Sequence, residues 1–251
     1  MPENLRFAIA PVLLLSAFLL QGCGTTGYLR HGNQWSYAAY QTDTFNRVVT
    51  PMPSVDAASL HPLNGGDGGY AADIHHVYHC GEILAGADPA SFVNISDICW
   101  KDKSKVDWIG RFVTGADPRT FILLKDNSWA RDARHAWYYQ SVVPIKVRDI
   151  ASFGSINDDW ARDSKAYYAG STANTTTGEV IGADYSTFRI LKGSYARDRK
   201  NIYWGARAIK GADLATFKVG GGLHLQAKDR FRYYEYGKSV TKPEWASSPW
   251  R

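Results

Sequence analysis

Three histidines and a cysteine stand close together at His75, His76, His79 and Cys80, and these residue types bind transition metals. On a helix, His75 and His79 would share one face and could hold one ion. On a strand, their side chains would lie about 13 Å apart, at about 3.3 Å per residue, which is too far for one ion. Because His79 occupies a strand position of an internal repeat, we expect no metal site here and keep the three histidines as weak candidates only.

Acidic residues are the other candidates for chemistry, and most of them recur at fixed positions along the chain. A catalytic acid is needed once, whereas a turn-forming residue is needed in every copy of a repeat. Glu179 is a unique acid, but the sequence shows no obvious partner for it. No Gly-x-Ser-x-Gly elbow is present, and the glycine-rich stretch at 65–69 lacks the ending of a phosphate-binding loop. We therefore expect no catalytic residues, no cofactor and no enzyme activity.

A repeat of about 30 residues, marked by two short motifs, organises the chain. The first mark is an aromatic residue, Ala, a variable residue and Asp, with worn copies, and its aspartates are Asp73, Asp102, Asp132, Asp163, Asp198 and Asp229, spaced by 29, 30, 31, 35 and 31 residues. The second mark resembles Gly-Ala-Asp-Pro-x-Ser/Thr-Phe, and its aspartates are Asp88, Asp117, Asp149, Asp184 and Asp213. An earlier, worn copy of the second mark begins at Val55-Asp56, and the polar insert 171–178 indicates a surface loop.

Each mark has a physical interpretation. In the second mark, Gly permits a chain reversal, Asp caps a short helical turn, Pro suits its first position, and Phe points into the core. The first mark indicates a strand entering a turn, with Asp accepting hydrogen bonds from the turn backbone. The residue five positions after that Asp is aromatic in five of six copies, which are Tyr78, Trp137, Tyr168, Tyr203 and Tyr234, and it is Asp107 in the other. Adjacent bulky residues suit a strand with both faces covered.

These features predict a mainly β fold with short helical turns. One unit of this size cannot bury its own apolar face, so neighbouring units must stack. The tandem repeats are expected to form an elongated array or a small propeller-like ring, and both remain open. The abundance of Trp (9), Tyr (15) and Gly (23) also favours strands and turns over a helical bundle.

The N-terminus predicts export. Residues 7–20 are almost wholly apolar and follow a short positive start, which is the length of a signal-peptide core rather than of a membrane span. The following Leu20-Gln21-Gly22-Cys23 resembles the lipobox of bacterial lipoproteins. That resemblance implies cleavage before Cys23 and acyl chains, such as palmitate, on this residue, which together give durable anchoring. Gly24, where an Asp would resemble an inner-membrane retention signal, favours the outer membrane.

Lipid on Cys23 would leave Cys80 and Cys99 as a pair. An oxidising envelope compartment favours a disulfide between them, and closing a loop of this size would stabilise the fold by about 3 kcal/mol. Two free, partly buried thiols are the alternative. Their spacing fits neither a Cys-x-x-Cys redox motif nor a zinc knuckle.

The repeat marks resemble the bacterial DKNYY family, named for its recurring Asp-Lys-Asn-Tyr-Tyr run. The best match is Asp198-Arg-Lys-Asn201-Ile-Tyr203-Trp204, with looser copies beginning at Asp163 and Asp132. The resemblance covers residues 70–240. It implies an often exported class of protein and carries no catalytic residues to transfer.

The predicted organisation is a signal peptide at 1–22, an anchor-proximal linker with a degenerate repeat at 23–69, a repeat domain at 70–240 and a tail at 241–251. The net charge of +5 is spread along the chain without a basic block, so we expect no nucleic-acid partner. We expect a non-catalytic envelope lipoprotein that contacts the bilayer through its acylated N-terminus, faces the periplasm and binds another envelope protein. The alternatives are a module for cell-wall or surface glycan and, less favoured, an envelope hydrolase.

Overall fold

The computed structural model of the 251-residue chain describes residues 26–41, 43–63, 69–139, 141–170, 177–220 and 226–241. The predicted signal peptide, Cys23, the glycine-rich residues 64–68, most of the polar insert and nearly all of the predicted tail lie outside the described residues. In the described part of the chain, no helix is long and apolar enough to cross a membrane.

The described residues form seven small antiparallel sheets, each a meander whose strands lie side by side in chain order. Sheet A contains β1 (Gly27–His31), β2 (Gln34–Tyr40) and β3 (Arg47–Pro51). Sheet B contains β4 (His61–Pro62), β5 (Tyr70–Ala72), β6 (Val77–His79) and β7 (Glu82–Ile83). Sheet C contains β8 (Val93–Ser96), β9 (Cys99–Lys101), β10 (Val106–Trp108) and β11 (Arg111–Phe112).

The remaining four sheets repeat this plan. Sheet D contains β12 (Ile122–Leu123), β13 (Trp129–Arg131), β14 (Ala136–Tyr138) and β15 (Ser141–Ile145). Sheet E contains β16 (Gly154–Asn157), β17 (Trp160–Arg162), β18 (Tyr167–Ala169) and β19 (Gly178–Glu179). Sheet F contains β20 (Arg189–Lys192), β21 (Tyr195–Arg197), β22 (Ile202–Trp204) and β23 (Arg207–Ala208), and sheet G contains β24 (Lys218–Val219), β25 (Gln226–Lys228), β26 (Tyr233–Glu235) and β27 (Lys238–Val240).

The mainly β prediction is confirmed, and the predicted helical turns are shorter than expected. One 3₁₀ helix, Ile150–Ser152, is present within the described ranges. In the other copies the second mark is a single turn, in which the Asp117 carbonyl accepts from the N–H of Phe121 at 2.9 Å. A strand follows this turn directly, because the Phe side chain at its end packs in the core. Phe121, Phe153 and Phe188 are buried as predicted, and each is 3% exposed or less.

The chain divides into two compact units, residues 1–89 and 90–251. The first unit holds sheets A and B around Trp35, Met52, Leu60, Ala71 and Tyr78. The second unit holds sheets C to G, and each pair of successive sheets shares one apolar cluster. The repeats of the sequence therefore correspond to a series of small apolar cores, one between each pair of successive sheets.

Both faces of the third strand in sheet D are covered, as the bulky residues predicted, because Trp137 packs in the cluster shared with the preceding sheet and Tyr138 in the cluster shared with the following sheet. The second strand is covered in the same way. In β13, Ala130 packs with Cys99 and Trp108 of the preceding sheet. Its neighbour Trp129 packs with Phe153 and residues of the following sheet. Because successive strand residues point to opposite faces, one short strand contributes to two cores.

Candidate functional site

The aspartate of the first mark gathers hydrogen bonds from three parts of its repeat. Oδ1 of Asp198 accepts from the backbone N–H groups of Lys200 and Asn201, both at 2.7 Å. Its Oδ2 accepts from the Tyr203 hydroxyl at 2.7 Å and from the backbone N–H of Asp184 at 2.8 Å. We call this arrangement the aspartate latch. It joins the central hairpin turn, the following strand and the second-mark turn.

The latch recurs along both units. The tyrosine hydroxyl donates to Oδ2 in three further pairs, which are Tyr78 to Asp73, Tyr168 to Asp163 and Tyr234 to Asp229, at 2.6 to 2.7 Å. Asp132 keeps the backbone bonds, but Trp137 stands in place of its tyrosine, and the indole N–H donates to the Thr114 carbonyl instead. Where the residue five positions after the Asp is a tyrosine, it is thus a latch partner as well as a core residue.

The latch also shows how the two marks are paired. The second-mark residues Asp117, Asp149 and Asp213 each donate their N–H to the first-mark aspartate that follows, 14 to 16 residues later. The worn copy does the same, since the Asp56 N–H donates to Asp73 at 2.9 Å. The structural unit therefore begins at the second mark, and the pattern of hydrogen bonds extends to residue 56.

These carboxylates are held as hydrogen-bond acceptors of the protein itself. Burial alone would raise the pKa of Asp73, but the hydrogen bonds from Asp56, Tyr78, His75 and His76 outweigh it and lower that pKa to about 2. The same opposition lowers the pKa of Asp132, Asp163, Asp198 and Asp229. The repeated first-mark acids thus serve as charged centres of the framework.

The histidine cluster is divided between a turn and a strand. The backbone N–H groups of His75 and His76 donate to Asp73 in the hairpin turn, and their rings lie 6.2 Å apart. His79 lies on β6, as predicted, and its ring stacks on Tyr70 at 4.4 Å. Over the described ranges, no three His, Cys, Asp or Glu side chains are grouped as a metal ion would require.

Cys80 and Cys99 are both free thiols in the structure, which is the alternative that the sequence left open, and the disulfide between them stays a prediction. Cys99 lies on β9 and is fully buried in the cluster formed with Trp108, Phe121 and Trp137. Cys80 is exposed, in the turn after β6. Only Cys99 belongs to the packing of a core, which a count of cysteines does not show.

Sheet C departs from the repeat at two opposed positions. In five other sheets, an alanine of the second strand faces an aromatic residue of the third, as Ala196 faces Tyr203. In sheet C, Trp100 stands in the alanine position and faces Asp107. In sheet C the large aromatic side chain therefore lies on the second strand rather than on the third. Asp107 is buried, which raises its pKa, although the Gly110 N–H bonded to it acts in the opposite direction.

A second departure from the repeat builds a polar cavity of about 140 Å³ beside sheet E. Its lining includes Arg148, Lys165, Tyr167, Glu179 and Tyr185. Arg148 and Glu179 form a two-pronged ion pair, in which Nε donates to Oε2 at 3.0 Å and Nη2 donates to Oε1. This contact raises the pKa of Arg148. The backbone N–H of Arg148 also belongs to the latch of Asp163.

Both members of this ion pair replace small or apolar residues of the other repeats. Arg148 precedes its aspartate, where other copies have Ala87, Ala116, Ala183 and Ala212. Glu179 faces Tyr168, where the corresponding strands carry Ile83, Phe112, Ala208 and Ser239. Sequence reasoning found Glu179 but not its partner, because the two are separated by 31 positions. Comparing each copy with the repeat consensus would have identified Arg148.

The fold and the latches define a tandem-repeat protein of small antiparallel sheets. Residues 160–244 match the model of the DKNYY family, so this part of the chain is similar to that family, as its residues predicted. No curated protein and no solved structure matches the chain. The latches carry the same pattern to residues before 160.

Proposed function

We propose that this chain is a non-catalytic interaction module that binds another protein of the cell envelope. The observation that carries the proposal is a set of exposed apolar side chains on the outer strands of the sheets, which are Ile83, Val93, Phe112, Ile122, Ile156 and Leu191. Phe112 is 55% exposed at the end of β11. Outer strands also offer backbone groups on one edge, and apolar side chains beside a strand edge suit a protein partner.

The aromatic residues favour a protein partner over a glycan. Sugar rings bind to open aromatic faces, but the tyrosines and tryptophans at repeated positions are mostly buried, as Trp129, Trp160 and Tyr195 are at 0% exposure. Beside the polar cavity, the Tyr167 ring stacks on Phe188 at 4.3 Å and lies 5.0 Å from Tyr185. The tyrosines and tryptophans at the repeated positions therefore act mostly as core residues.

The proposal includes an open array as the arrangement of the repeats in the second unit. Its support is the chain-order sharing of apolar clusters between successive sheets. Stacked repeats of this kind form extended surfaces that suit binding to another macromolecule.

The proposal also places the chain at the outer membrane, facing the periplasm, through lipid on Cys23. The lipobox-like residues 20–23 support this anchor. Mass spectrometry of the mature N-terminus tests it. The expected species begins at Cys23 and carries acyl chains, whereas an unmodified Cys23 or cleavage elsewhere would contradict the anchor.

Crosslinking in living cells, followed by capture of the lipidated chain, tests the interaction. We expect one protein to be captured, and we expect the variant Phe112→Ser to capture at least about tenfold less of it, as loss of a central apolar contact would produce. Phe231→Ser is the matched control, because Phe231 is 68% exposed but lies in a hairpin turn rather than on an outer strand. Circular dichroism of both variants checks the fold. Glycan fragments without a protein, or equal capture by both variants, would overturn the proposal.

A further inference from the structure

The cavity beside sheet E offers more hydrogen-bond donors than acceptors. Arg148 uses Nε and one hydrogen of Nη2 on Glu179, which leaves Nη1 and the second Nη2 hydrogen. The Glu179 carboxylate is the acceptor of that ion pair. The Tyr185 hydroxyl donates to the Asp163 carbonyl at 2.9 Å, so its hydrogen is already committed. A ligand of this cavity must mainly accept hydrogen bonds.

The charge of the lining also selects the ligand. Arg148 and Lys165 are positive and Glu179 is negative, so the lining carries a net charge of +1. Among the described residues, Lys165 forms no salt bridge, and its backbone N–H belongs to the latch of Asp163. The carboxylates of Asp149 and Asp163, outside the lining, also attract Lys165 and Arg148 respectively, so the charge of the site is largely compensated. An anionic ligand is favoured because it can accept hydrogen bonds from the N–H groups of both cations.

The cavity has room for one small group and opens to solvent, since the Arg148 side chain is 55% exposed. Its volume of about 140 Å³ is close to that of an apolar protein cavity of about 150 Å³ that holds benzene. A carboxylate with two or three carbon atoms fits this volume, and the rest of a larger ligand would stay outside it. Phe188 covers one face of the Tyr167 ring, which removes that face from sugar stacking.

We infer that this cavity receives the carboxylate of an acidic side chain from a protein partner, with Arg148 and Lys165 as its two cations. The inference rests on the proposed function, since it assigns one contact of the protein–protein interaction. Glu179 acts as a positioning residue, because it fixes the guanidinium of Arg148 and leaves the Nη1 edge for the ligand.

The test uses the full mature chain in detergent micelles, labelled with ¹⁵N and titrated with capped glutamate, capped glutamine, inorganic phosphate and glucuronate. We expect capped glutamate to shift the Arg148 Nε–H signal and the amides of residues 179–185 in a saturable manner. Capped glutamine should bind at least about tenfold more weakly, because it lacks the charge. Saturation by phosphate or glucuronate instead, equal binding of glutamine, or no shift with any probe would overturn the inference.

Lys165→Gln is the decisive variant, and Lys200→Gln is its matched control. The two lysines follow their latch aspartates by two positions and donate the same backbone hydrogen bond at 2.7 Å, but Lys200 stands outside the cavity lining. Of these two variants, we expect only Lys165→Gln to weaken the binding of capped glutamate, by at least about tenfold. In cells, unchanged capture by Lys165→Gln together with lost capture by Phe112→Ser would reject this contact and keep the proposed function.

Discussion

Trp100 and Asp107 face each other across β9 and β10, in the position where five other sheets pair an alanine with an aromatic residue. Trp100 is 3% exposed and Asp107 is 8% exposed, so both belong to the interior. The exchange keeps one large and one small side chain in the pair. Volume conservation across the strand pair explains the packing, and the Gly110 N–H bond and the nearby Lys105 offset part of the cost of burying the Asp107 carboxylate.

Restoring the consensus pair should require both changes at once. Trp100→Ala alone should destabilise the fold by about 3–5 kcal/mol, because it leaves a cavity. Asp107→Tyr alone should destabilise it by about 1–3 kcal/mol through overpacking. The double variant should lose less free energy of unfolding than the two single variants lose together, by at least about 1 kcal/mol. Urea unfolding of the four proteins measures this coupling, and simple additivity would show that the two side chains do not share one space.

Removing one latch hydroxyl should destabilise the protein without changing its fold. Tyr203→Phe deletes the group that donates to Asp198 at 2.7 Å, and a buried hydrogen bond to a charged acceptor contributes about 1.5–3 kcal/mol. Tyr138→Phe is the control, because Tyr138 is 3% exposed but its hydroxyl belongs to no aspartate latch. Urea unfolding should separate the two variants. Equal effects would mean that the latch adds nothing beyond ring packing.

The latches predict loss of stability in acid. The pKa of Asp73 is lowered to about 2 in the folded chain, whereas an unfolded Asp titrates near 4, so the ionised carboxylate favours the folded state above pH 4. That contribution should decline as the pH falls from about 4 to 2. Urea unfolding at several pH values should show the decline, and Asp73→Asn should reduce its slope while lowering stability at pH 6, because the other latch aspartates still contribute. A free energy of unfolding that rises below pH 4 would contradict this account.

The two thiols should differ in reactivity. Cys80 is exposed, whereas burial raises the pKa of Cys99 to about 12. Because the thiolate is the reactive form, we expect iodoacetamide to label Cys80 in the folded protein and Cys99 only after unfolding. Peptide mass spectrometry without reductant measures both sites. If either site is labelled only after reduction, that result would show that Cys80 and Cys99 form a disulfide in the protein.

Much of the framework followed from the sequence because its signals are local. Bulky β-forming residues indicate a strand, and Asp and Gly at fixed offsets indicate a turn. Phe121 is buried because its side chain is apolar. Repetition amplified each signal, which is why the role of Asp198 and the strand at His79 could be predicted. The pairing of the two marks was not predicted, since sequence order alone does not show which aspartate accepts from which N–H.

The sequence by itself determined the mainly β repeat, its similarity to the DKNYY family and the structural role of the recurring aspartates, because these depend on residues near one another in the chain. Only the tertiary structure decided which distant residues meet. It placed Arg148 on Glu179, left Cys80 and Cys99 free, and set Trp100 against Asp107. Such contacts are made when separate strands pack, where volume and charge must match across space rather than along the chain.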